Sequence, residues 1–89
     1  MNDILVEQKE EKDTGWVFSV DVDGRTHTVT VPKEYYKKLT EGKETPESLV
    51  NRSFEFLLAR EPKKSILKEF ELPVIQHYFP EYETETALV

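Results

Sequence analysis

The sequence predicts an α+β domain: an N-terminal antiparallel β-hairpin or three-strand meander, covered on one face by three to four short C-terminal helices. Two observations carry this. Asp23-Gly24 stands between two alternating β-rich runs, Trp16 to Val22 and Arg25 to Val31. Asp-Gly in that setting signals a two-residue hairpin, because both turn positions favour positive φ. Beyond residue 31, prolines at 32, 46, 62 and 73 each open a stretch of apolar side chains at helical spacing, ending at Tyr78-Phe79-Pro80-Glu81-Tyr82.

The hairpin turn sets the strand register. It places Val20 opposite His27, Phe18 opposite Val29 and Trp16 opposite Val31, all on one apolar face. Ser19 with Thr28 and Asp21 with Thr26 fall on the other, wetter face. A bare hairpin is marginal in water, so Ile4 to Lys9 is expected to add a third strand through a connection at Glu11 to Gly15. Pro32 then suits the first position of a short helix carrying Tyr35, Tyr36 and Leu39, ended by Gly42. Thr45 is the expected N-cap of the next helix, with Pro46 in its first turn. That helix runs to about Arg60. Its stripe of Val50, Phe54, Leu57 and Leu58, widened by Leu49 and Phe56, makes it the central one. Pro62 is expected to open a third helix with Ile66, Leu67 and Phe70, and Pro73 a fourth with Val74, Ile75, Tyr78 and Phe79. The expected core comprises Trp16, Phe18, Val29, Val31, Phe54, Leu57, Leu58, Ile66, Leu67, Phe70, Ile75 and Phe79. Residues 1–82 form one domain in this reading. Residues 83–89 form an acidic disordered tail, because the alternating glutamates at 81, 83 and 85 repel and few apolar side chains offset the ordering cost.

Composition bounds the chemistry. With 89 residues, a single domain is expected. There is no cysteine, which excludes disulfides, thiolate metal sites and a cysteine nucleophile. No apolar run reaches the roughly 18 residues of a membrane span. A soluble, cytoplasmic protein is the expectation. The net charge of −6 is unevenly placed. Residues 1–31 hold seven acidic and three basic side chains, residues 32–68 six acidic and nine basic, and residues 69–89 five acidic and none basic. The basic middle is either a solvated helical surface or a nucleic-acid face shielded by acidic ends.

His27 and His77 share no metal-ligand spacing with each other or with acids, so no metal site is expected. His27 reads as a partly buried core residue and His77 as a surface one. Asp21 and Asp23 beside Gly24 lack the twelve-residue ligand series of a calcium loop. No serine lies in a nucleophile-elbow context, and three glycines cannot build a phosphate loop. No enzymatic activity and no cofactor are expected.

Residues 25–61 resemble a ribbon–helix–helix protein: Arg25 to Pro32 as strand, Tyr35 to Leu39 as first helix, Thr45 to Leu58 as second. That resemblance implies a dimeric DNA-binding regulator or antitoxin. Thr26, Thr28 and Thr30 would then read bases, and the start of the second helix would hold phosphate. Arg25, Lys43 and Arg52 would be the contributing cations. Residues 63–79 also resemble a helix–turn–helix with Leu72-Pro73 as its turn. Most of the chain, through Ser53 to Pro62, Ser65-Ile66-Leu67 and Tyr78 to Tyr82, is similar to a group of short bacterial proteins for which no activity is implied. The leading expectation is a small non-enzymatic protein-interaction domain, whose partner is itself as a homodimer or another protein. Tyr35, Tyr36, Tyr78 and Tyr82 are its contact candidates, since amphipathic aromatics favour interfaces. The DNA-binding regulator is the alternative.

Overall fold

Alternation in the first 32 residues is realised as three antiparallel strands: β1 (Ile4–Lys12), β2 (Gly15–Val22) and β3 (Arg25–Pro32). The computed structural model describes residues 3–86. Asp23 and Gly24 take φ of 50° and 87°, as a two-residue hairpin turn requires. The register follows: Val20 faces His27, Phe18 faces Val29, and Trp16 faces Val31. β1 is longer than the sequence suggests and turns back at Asp13-Thr14, so that Lys12 pairs with Gly15. A bulge at Lys9, between the pairs Gln8–Phe18 and Glu10–Val17, interrupts it. Charges and a bulge blunt this long edge against pairing with another chain. Gly15 is buried, and a Cβ there would sit 2.3 Å from the Val31 carbonyl oxygen.

One face of the sheet is dry. Phe18, Val20, Val22, Val29 and Val31 are inaccessible to solvent. The helices α1 (Lys33–Thr40) and α2 (Pro46–Leu58) follow β3. Pro32 precedes α1 in extended conformation, as its cap. The helix ends when Glu41 takes a left-handed conformation and donates its N–H to the Lys37 carbonyl, one residue before Gly42. Thr45 caps α2, its hydroxyl accepting from the Ser48 N–H at 3.1 Å, with Pro46 at the first position. α2 is the central helix: Leu49, Val50, Ser53, Phe54, Phe56 and Leu57 are buried. Phe54 bridges sheet and helix, its ring 5.5 Å from His27 and 6.0 Å from Phe70.

Glu44 ties the start of α2 to its second turn. Its carboxylate accepts from Ser48 Oγ at 2.7 Å and from both the Nε and a terminal nitrogen of Arg52. Burial pushes this carboxyl up, but the Arg52 and Ser48 bonds outweigh it and hold it below the usual carboxylate range. A depressed pKa in the folded state contributes stability above the unfolded value and loses it as pH falls through the folded one. Thermal melts between about pH 3 and pH 7 should therefore show an acid-side loss of stability that Arg52→Ala reduces. An unchanged acid arm in the variant would show that the pair contributes nothing.

The third predicted helix is absent. Lys63–Ser65 makes a single 3-10 turn, and Glu69–Glu71 forms strand β4. β4 runs parallel to β3, with Thr28 opposite Glu69 and Thr30 opposite Glu71. The strand order is β1-β2-β3-β4. The spacing of Ile66, Leu67 and Phe70 fits a helix, but Glu69-Phe70-Glu71-Leu72 alternates exposed and buried, and the sheet decides between them. The helix–turn–helix likeness of residues 63–79 fails for the same reason. Leu67, expected in the core, is 49% exposed. Trp16, Leu58 and Phe79 are partly buried. The two last helices are α3 (Val74–Tyr78) and α4 (Tyr82–Thr86).

α4 occupies the start of the expected disordered tail. Glu83 pairs with Lys38 at 3.0 Å, and Arg60 reaches Glu81 at 3.1 Å and Glu85 at 2.8 Å. The Arg60 guanidinium also lies 3.6 Å from the centroid of the Phe56 ring. Cations missing from the local sequence thus arrive from α1 and the end of α2, and Thr86 is buried. Residues 87–89 of the expected tail lie outside the described residues.

Candidate functional site

His27 helps to set one wall segment of an apolar groove on the helix side of the sheet. It is 2% exposed, on the dry face of β3. Its Nδ1 lies 2.7 Å from the Leu67 carbonyl oxygen. A carbonyl only accepts, so Nδ1 carries the proton and donates. One residue on, the Thr28 N–H donates to the Lys68 carbonyl at 2.7 Å. These two bonds hold the segment before β4 against the sheet. Ser65, Ile66 and Leu67 line a half-open groove of about 320 Å³. Val74, Ile75 and Tyr78 of α3, Phe79 at its C-terminal end, Leu57 and Phe70 line it as well. Glu61, Ser65 and the Tyr78 hydroxyl are its polar lining groups. Partial burial pushes the Glu61 carboxyl up.

The four candidate tyrosines take different roles. Tyr78 is 63% exposed and lines the groove together with Leu67. Tyr35 is half-buried and donates to Glu83 Oε2 at 3.0 Å; burial and that carboxylate push its hydroxyl pKa well up. Tyr36 stands edge-on to Trp16 at 5.2 Å and donates to the Glu44 carbonyl oxygen. Tyr82 is fully buried, its hydroxyl 2.6 Å from Ser53 Oγ, so it is a core residue and offers no surface to a partner. Only Tyr78 presents its ring. The sequence reading missed Leu57, Glu61, Ser65, Ile66, Leu67 and Val74 as groove residues. Leu67 beside Ile66 was a legible sign, since two adjacent apolar side chains of an extended segment cannot share one face.

The residues of the DNA-binding alternative are not brought onto one surface. Thr26, Thr28 and Thr30 lie on the sheet face opposite the helices, whereas Arg52 lies on α2 and is engaged by Glu44. Arg25 is exposed at the hairpin turn and Lys43 in the loop before α2. Glu69 and Glu71 are the cross-strand neighbours of Thr28 and Thr30, placing two acids where phosphate would approach. β3 is also flanked by β2 and β4, so Thr28 to Thr30 have no free edge for a strand from a second chain.

Among the described residues, no group of three or more His, Cys, Asp or Glu side chains could hold a metal ion. None of the described helices is long and apolar enough to cross a membrane. No protein-family model, curated protein or solved structure matches this chain.

Proposed function

We propose that this chain is a small, non-enzymatic protein-interaction domain acting in the cytoplasm, and that it docks its partner at the groove lined by Leu67 and Tyr78. The observation that supports this is the exposure of two large side chains, Leu67 and Tyr78, that line the same largely apolar cleft. An exposed apolar cleft marks a contact surface. A metabolite site would need several convergent polar groups, and this groove offers only the side chains of Glu61 and Ser65 and the Tyr78 hydroxyl.

The test is affinity capture from native cell extract with the wild-type chain and with the double variant Leu67→Asp, Tyr78→Asp. Both positions are exposed, so the variant should retain the wild-type circular dichroism and melting temperature. The expected result is a partner retained by wild type and lost with the variant. The same proteins retained by both would remove the groove from the contact surface. Sedimentation of the two proteins separates a second copy from a different partner, because a groove-mediated homodimer would dissociate in the variant.

A further inference from the structure

β4 is the outermost strand on its side of the sheet. The Lys68 carbonyl and the Leu72 N–H bond to β3 at Thr28 and Thr30. Backbone groups alternate in direction along a strand, so those of Phe70 also face β3 and those of Glu69 and Glu71 face outward. Phe70 is buried and lines the groove, while Glu69 and Glu71 are exposed on the opposite sheet face. Neither glutamate has an ion-pair partner among the described residues. An open backbone edge, an apolar groove under it and two free carboxylates above it therefore meet at three consecutive residues.

We infer that the partner binds by strand addition to β4, as an extended segment alternating apolar and basic side chains. This rests on the groove being the contact surface, and it names the chemistry of the occupant. A residue opposite Phe70 shares its face and enters the groove. Residues opposite Glu69 and Glu71 lie on the outer face, where Lys or Arg pairs with each carboxylate. Glu61 adds a third acid at the groove, and the chain's charge of −6 steers a cationic segment toward it. Lys64 and Lys68 are exposed and do not line the groove. A second copy of this chain is disfavoured at this edge. Antiparallel pairing of two β4 strands about Phe70 sets each Glu69 against the other copy's Glu71, and like charges directly opposite repel. At the other edge, β1, Ile4 and Val6 on the inner side pack against the core.

The probe is a blocked hexapeptide alternating valine and lysine, with the valine–glutamate hexapeptide as its counterpart. Amide exchange and chemical shifts are read on the full chain at saturating peptide. The lysine peptide should slow exchange of the Glu69 and Glu71 amides about tenfold or more and shift Leu67 and Tyr78. It should bind about tenfold tighter than the glutamate peptide, and the double variant Glu69→Lys, Glu71→Lys should reverse that order. Shifts confined to the groove, with the Glu69 and Glu71 amides exchanging as before, overturn strand addition and leave the groove reading intact. Equal binding of both peptides overturns the charge selection. No shift with either peptide overturns the inference as a whole, while loss of the captured partner in the Leu67→Asp, Tyr78→Asp variant would still uphold the groove.

Discussion

Tyr82→Ala is expected to lower stability by about 3–5 kcal/mol, against a change within about 0.5 kcal/mol for Tyr78→Ala. Tyr82 is inaccessible to solvent, and its ring stands edge-on to Phe56 at 5.2 Å. Removing it opens a cavity between α2 and α4. The hydroxyl adds a second cost. Ser53 Oγ donates its single proton to the Leu49 carbonyl at 2.8 Å, so Tyr82 is the donor of the 2.6 Å bond to Ser53. Ser53→Ala would leave that buried donor unpaired, at about 1–3 kcal/mol, whereas Tyr82→Phe should cost only about 1 kcal/mol. A domain of this size has roughly 4–13 kcal/mol in total at typical values per residue. The alanine variant thus stands near the limit of folding. Urea denaturation of the four variants is the measurement. Equal midpoints for Tyr82→Ala and Tyr78→Ala would place Tyr82 outside the core.

Gly15→Ala is the second large effect, at about 3 kcal/mol or more. The added Cβ would meet the Val31 carbonyl oxygen at 2.3 Å and the Pro32 Cα at 3.0 Å. All of these atoms are backbone, so no side-chain rotation relieves the clash. The strands must separate where the Lys33 N–H donates to the Thr14 carbonyl, the bond that joins the first turn to the start of α1. By contrast, Gly24→Ala meets no neighbouring atom and carries only the smaller cost of its positive φ. Denaturation midpoints compare the two. A milder loss at Gly15 than at Gly24 would mean that the close approach at Gly15 is absent in solution.

The parts legible in the sequence were those that local chemistry decides. Asp23-Gly24 fixed a turn, and the turn fixed every cross-strand pair from Gly15–Pro32 to Val22–Arg25. Thr45-Pro46 marked a helix start because a cap hydroxyl and a missing N–H act within one turn. β4 was not legible. Its partner β3 lies some 40 residues earlier in the chain, and three residues are too few for a period to declare itself. The candidate site suffered from the same gap. The sequence singles out Tyr78, which is exposed, but helical spacing puts its companion Leu67 in the core, since only the β4 pairing turns Leu67 outward. Tyr82 was assigned to the surface because the Ser53 hydroxyl that receives it is 29 residues away.

The parallel pairing of β3 with β4 also sets an order of assembly. β1, β2 and β3 meet through two-residue turns, so their contacts close short loops at small entropic cost. β4 can join only after α1 and α2 have brought the chain back across the sheet, and loop closure of that length makes it late. It is held by few backbone bonds, among them Thr28 to Lys68 and Leu72 to Thr30, and by the His27 clasp on Leu67. The groove wall is therefore the part of the domain that opens most readily, well below the cost of global unfolding. A partner of the kind proposed, once seated in the groove, would act as a clamp on the C-terminal third. A bound partner slows its opening without altering the hairpins, and protection against proteolysis near residues 61–72 reports that occupancy.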